Sequence, residues 1–235
     1  MTLTAAVAPL AAYAVFFQTA IYLSLPAPLR SKWAPTFTGA VGAVVALASG
    51  VLFGFDRIGL GATDPTIILA WALAALLITA AAGTFMLKRP SLRAEMADPR
   101  ISTLARREAA THIFVRIPLF TALVEEVFFR GVLHAALMAL YPTPVAVWLG
   151  AGLFGMWHIG PGLDQAEANE KTTTAATLHT GFTVVATTLA GAFLVWLRIE
   201  TGSIWAPVAV HAAINMTMAL FARLAASHEP AASLD

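Results

Sequence analysis

The chain is predicted to be an all-α membrane protein, a polytopic bundle of about seven to eight transmembrane helices, and three observations predict it. Of its 235 residues, 59% are hydrophobic and only 11% are charged, where soluble domains carry roughly 25% charged residues; mean hydropathy is +0.77. Seven apolar stretches are long enough to cross about 30 Å of hydrocarbon at about 1.5 Å per residue. The basic side chains gather in alternate connections instead of scattering. A net charge of +1, from 14 basic and 13 acidic residues, supplies no field for nucleic acid, so the lipid bilayer is the expected partner and nucleic acid is excluded. With no cysteine, disulfides, thiolate metal sites and a cysteine nucleophile are excluded, and any chemistry must use oxygen or imidazole.

The first three spans read as plain apolar helices. No charge precedes Arg30, none lies between Trp33 and Phe55, and none between Pro65 and Leu87. A basic, proline-containing segment from Lys88 to Arg107 follows, with Lys88, Arg89, Arg93, Arg100, Arg106 and Arg107 against Glu95 and Asp98; it reads as an interfacial segment. The fourth span, about His112 to Leu140, holds Arg116, Glu125, Glu126, Arg130 and His134 in an aromatic, apolar run. The fifth runs about Thr143 to Ile159 and is expected to stop at Gly160-Pro161-Gly162, before a polar loop. About Thr177 to Leu197 and about Ser203 to Ala222 form the sixth and seventh. We read residues 1–235 as a single transmembrane domain, with 1–111 supplying three spans and the basic segment and 112–223 the core that carries the polar residues. An N-terminus outside places ten of the basic residues, including Arg93, Arg100, Lys171 and Arg223, in the cytoplasm and leaves Arg57 and Arg198 outside, as the positive-inside rule requires. The first span has no basic preceding region and no small-residue cleavage site, so it reads as a span and not a signal peptide.

Among the 13 acids, only Glu125 and Glu126 lie deep in a span. An ionisable group there costs about 2.5 to 3.5 kcal/mol on insertion scales, so two neighbouring carboxylates need partners. Arg130, four residues after Glu126 in the favourable order, pairs with it. Glu125 points about 100° round the helix and must find its partner on another span. The available polar groups are His158 near the end of the fifth span and His211 with Asn215 one turn later in the seventh. A lone buried histidine is ordinarily a hydrogen-bonded packing residue; two histidines, an amide and a carboxylate on three spans point to a site. Counted from the span ends, all four fall about 8 to 20 Å below the cytoplasmic boundary.

These residues resemble a known family. Glu125-Glu126-Val-Phe-Phe-Arg130-Gly131 is similar to the EExxxR motif, Phe154-Gly-Met-Trp-His158 to FxxxH, and His211-Ala-Ala-Ile-Asn215 to HxxxN of the CPBP intramembrane proteases, also called the ABI family, which includes CAAX prenyl endopeptidases and bacteriocin-processing or immunity proteins. The three motifs stand in the family's order on separate hydrophobic segments, and the resemblance covers about 116–222. It implies a bundle with a conical central catalytic cavity open to the cytoplasmic side. It further implies an endopeptidase in which Glu125 and His158 activate a water while His211 and Asn215 form an oxyanion hole, with Glu126, Arg130 and Phe154 supporting them. The implied substrate is a membrane protein or lipidated peptide; the spans and an alanine-rich, lysine-poor usage lead us to expect a multi-pass protein of a bacterial plasma membrane.

No HExxH zinc motif, no serine-nucleophile motif and no aspartate inside a span is present. The expectation is therefore no metal and no cofactor, although Glu125, His158 and His211 have the ligand types of a three-residue zinc site. Two other classes compete: a non-proteolytic scaffold or immunity protein that keeps the constellation for shape, and a small proton-coupled transporter relaying protons through Glu125 and His158. Oligomeric state is not written in the sequence. His112, His179 and His228 read as interfacial or solvated, and His134 as part of the Arg130 helix face. Gly150, Gly152 and Gly155 are expected to let the fifth span approach its neighbours, and Pro118 and Pro207 to kink spans four and seven.

Overall fold

In the computed structural model, residues 54–227 are described continuously, together with positions 11–13, 16, 17, 20, 23–26, 40, 41, 44, 47, 48, 50 and 51. The spans expected before Phe55 therefore lie mostly outside the described residues, as does His228. The described residues are all-α, with no strand among them.

Asp64 starts the first helix, α1 (Pro65–Leu87), by accepting a hydrogen bond from the Thr66 N–H, which satisfies one of the unpaired donors of the first turn. The basic segment forms two short helices, α2 (Pro90–Met96) and α3 (Pro99–Ser102), each opened by a proline where no N–H is needed. An unbroken helical run over 106–138, here α4, comprises Arg106–Thr111, a π-helical stretch His112–Ala122, one α turn Leu123–Glu126, a second π stretch Val127–Leu133, and His134–Met138. Then come α5 (Thr143–Trp157), α6 (Ile159–Ala168), α7 (Thr173–Thr201) and α8 (Trp205–Ser227).

Three of these, α1, α7 and α8, are long and apolar enough to cross a membrane by themselves, and leucines, phenylalanines and tryptophans stand exposed along them. In water such faces would aggregate; in lipid they are the expected exterior. This is an all-α membrane protein. The core lies between α4, α5, α7 and α8, where Phe129, Leu133, Leu137, Leu197 and Val210 are almost fully buried.

The charges sort by end. Arg100 bonds Asp98 and Asp164, Lys171 bonds Glu95, and Arg223 donates to the Ile101 and Leu104 carbonyls. These contacts bind the basic segment, the start of α7 and the end of α8 into one end of the bundle. Burial opposes the charge on Arg100, but Asp98 and Asp164 outweigh it and hold the guanidinium pKa above its ordinary value. At the other end Ile204 N–H and Ser203 Oγ both donate to the Gly59 carbonyl, and Arg198 lies over Gly59. Gly59 has φ of +78° and could not carry a β-carbon under that side chain.

Two expectations are corrected. Residues 159–168 are not a polar loop: the Gly160-Pro161-Gly162 stretch breaks α5 at His158, yet Pro161 then sits in the first turn of α6, where its missing N–H costs no bond. Pro207 likewise occupies the first turn of α8 and interrupts no helix interior. Of the three glycines in α5, Gly155 alone is tightly apposed. A β-carbon there would collide with Thr188 Oγ1 and lie 2.8 Å from the Val184 carbonyl oxygen, whereas Gly152 has open space and Gly150 ordinary contact.

Candidate active site

Glu125 and Glu126 occupy the single α turn between the two π stretches of α4. Leu123, at the end of the first stretch, donates to the carbonyl of Pro118 five residues back, and such wide turns recur at functional sites. Both glutamates are buried, Glu125 at 8% exposure and Glu126 at 0%.

Glu126 Oε1 takes two bonds: from Arg130 Nη1 at 3.0 Å and from His211 Nδ1 at 2.7 Å. Arg130 is itself wholly buried. Its Nη2 donates to the Gly191 carbonyl on α7 at 3.3 Å, and its guanidinium carbon stands 4.0 Å from the centre of the Phe154 ring, a cation–π contact. Gly191 admits this arrangement because a β-carbon there would lie 3.0 Å from Phe154 and 3.4 Å from Arg130. One carboxylate and one guanidinium thus tie α4 to α5, α7 and α8.

Glu125 faces differently. Its Oε1 accepts from the indole N–H of Trp157 at 3.2 Å; its Oε2 makes no hydrogen bond among the described residues and lies 4.0 Å from His211 Nε2. His211, 7% exposed on α8 one turn after Pro207, therefore spans both glutamates, with Nδ1 on Glu126 and Nε2 toward Glu125. A proton on Nδ1 is donated to Glu126, so the ring is held in one orientation.

His158 sits at the break between α5 and α6, half-buried, with Nδ1 2.8 Å from the Phe154 carbonyl oxygen. That contact anchors Nδ1 and frees Nε2. Helix α5 has 15 residues and rises about 22 Å, less than the hydrocarbon thickness, so its end falls inside the bundle. Phe154, 3% exposed, stands between the imidazoles, 4.6 Å from the His158 ring and 6.0 Å from the His211 ring. Asn215 follows His211 by one turn on α8, half-buried, and forms no hydrogen bond to a described residue.

The structure thus brings Glu125, Glu126, Arg130, Phe154, His158 and His211 into one cluster and leaves Asn215 beside it with a free amide. Among the described residues no three His, Asp or Glu side chains converge as metal ligands. Sequence reasoning missed two features. It paired Glu126 with Arg130 alone and not also with His211, and it treated Trp157 as a spacer within the FxxxH motif. A buried indole N–H needs an acceptor, which is the signal that would have led from Trp157 to Glu125.

An all-α membrane protein with a buried carboxylate–imidazole cluster at the meeting of three helices is the class that the fold and geometry define. Residues 107–217 match the family model described as Rce1-like, type II CAAX prenyl endopeptidase Rce1-like, and the three CPBP-like motifs all fall within that stretch. No curated protein and no solved structure matches the chain. The matched stretch contains every residue of the cluster and begins at Arg107, the last residue of the basic segment.

Proposed function

We propose that the protein is an intramembrane endopeptidase that hydrolyses a peptide bond near the cytoplasmic face of the membrane. The observation that carries this reading is a buried glutamate with one oxygen held by Trp157 and the other without a hydrogen bond to a described residue, 4.0 Å from His211 Nε2, inside the stretch that matches an endopeptidase family.

Glu125 is the base. Its Oε1 is held by the Trp157 indole, so Oε2 is its available atom. Water gives a proton to Glu125 while its oxygen attacks the carbonyl carbon, and the carbonyl electron pair moves onto oxygen. His158 Nε2 orients the same water. The amide of Asn215 and Nε2–H of His211 donate to the oxyanion; in that role His211 acts as an imidazolium between the two carboxylates, with Nδ1–H on Glu126. Collapse expels the amine, which takes its proton from Glu125. The chain's own residues complete this cycle without a metal.

The matched family's description as a CAAX prenyl endopeptidase makes a lipidated peptide the first substrate to test, and the gathering of basic residues at the Arg100 end supports a cytoplasmic position for that end. The test is cleavage of a quenched fluorescent peptide bearing a C-terminal prenylated cysteine, by purified protein in lipid vesicles. Glu125→Gln should abolish turnover while the protein remains folded. Asn215→Ala should lower kcat by about 10²-fold, the usual cost of one oxyanion donor. A scaffold tolerates both substitutions, and a proton relay loses flux in Glu125→Gln with no dependence on Asn215; either pattern overturns the reading.

A further inference from the structure

Trp157 is 2% exposed, and its indole is enclosed by other rings. Phe128 and Phe129 from α4 lie 6.2 and 5.6 Å from it, centre to centre. The remaining walls come from the first span: Tyr13 at 5.7 Å, and Phe17 at 6.1 Å with its plane inclined by only 16°. Tyr13 and Phe17 stack on each other at 4.5 Å, and Tyr13 also meets Phe128 at 5.1 Å. A ring packed on this many sides has little freedom in either side-chain torsion. Its single polar atom, Nε1, is spent on Glu125 Oε1.

Glu125 has side-chain torsions that burial alone does not set, and its two oxygens are chemically equivalent until something distinguishes them. The indole distinguishes them. With Oε1 engaged, Oε2 is turned toward His211. We infer that Trp157 is a positioning residue for Glu125, holding one carboxylate oxygen so that the other is the proton acceptor, and that the first span takes part in this geometry through Tyr13 and Phe17. The inference rests on the role proposed above for Glu125. It assigns a task to a segment that lies outside the family match at 107–217 and carries no motif of its own.

The experiment compares wild type, Trp157→Phe, Phe17→Leu and Glu125→Gln in the prenylated-peptide assay, with kcat and KM determined separately and thermal unfolding followed in parallel. Trp157→Phe keeps an aromatic ring in the clamp and removes the N–H. It should lower kcat about tenfold, the scale of one hydrogen bond to a charged group, with KM and the unfolding midpoint near wild type. Phe17→Leu, which loosens the clamp and keeps the donor, should lower kcat by a smaller factor, again without moving KM. An unchanged kcat in Trp157→Phe overturns the inference. So does a loss shared equally by KM and stability, since that is packing alone. If Trp157→Phe does not accumulate, an unchanged kcat in Phe17→Leu overturns it. Should Glu125→Gln cleave like wild type, the base assignment falls and the positioning role with it; an inactive Glu125→Gln beside an unaffected Trp157→Phe removes only the positioning role.

Discussion

Arg130 carries its charge with none of its side chain exposed, and its partners are one carboxylate, one carbonyl and the rings of Phe154 and Phe129. Removing one member of such a pair leaves the other charge buried and uncompensated, which typically costs about 3 to 5 kcal/mol. Arg130→Ala and Glu126→Gln should therefore lower the unfolding midpoint and expression as well as activity. Thermal unfolding in detergent checks this, and wild-type melting in both variants would show that the pair does not hold the bundle. Glu125→Gln should behave in the opposite way, losing turnover with its melting preserved, because its Oε2 has no hydrogen bond to a described residue to lose. The Glu126–Arg130 pairing was legible from a four-residue spacing within one helix. The bond from His211 to the same carboxylate was not, because it joins positions 85 residues apart and no local periodicity encodes the relative rotation of α4 and α8.

At the scale of elements, the α5–α7 contact decides where Phe154 and His158 stand. Gly155 touches Thr188 and the Val184 backbone, and Gly191 touches Phe154 and Arg130. Adding a methyl group at 155 forces a backbone or the Thr188 side chain to move, and overpacking of this kind costs about 1 to 3 kcal/mol. Gly155→Ala should lower the unfolding midpoint and reduce kcat, since the helix that moves carries both Trp157 and His158; Gly152→Ala, facing open space, should change neither, and an equal effect of the two would refute the close approach. The small residues of α5 were visible in the sequence as a group. Which of them faces a neighbour depends on the roll of α5 against α7, a tertiary quantity.

At the scale of the whole molecule, the sorting of charge predicts an orientation. The end that contains Arg93, Arg100 and Arg223 is expected in the cytoplasm and the end that contains Arg57 and Arg198 outside. With no native cysteine, single substitutions report this directly: Arg93→Cys in intact cells should resist a membrane-impermeant maleimide, and Arg57→Cys should react. The reverse pattern would invert the assignment and place the cluster toward the other face. In the proposed cycle Glu125 takes the proton from water directly, so chelation should leave turnover unchanged, and a loss restored by zinc would show a metal-dependent reaction.

What the sequence determined by itself is the solvent, the class and the chemical inventory. Apolar length forces membrane helices because unpaired backbone groups are not tolerated in hydrocarbon, and the scarcity of buried charge makes Glu125, Glu126, Arg130, His158, His211 and Asn215 stand out with no structure at hand. The three motifs then point to one family. Tertiary structure decided the wiring: Glu126 shared between Arg130 and His211, Trp157 closing on Glu125, Tyr13 and Phe17 walling the indole, and a helix in place of the expected loop after His158. Those contacts depend on the roll, depth and tilt of helices against one another, and these are set by the summed packing of many side chains across the bundle, which no single stretch of sequence contains.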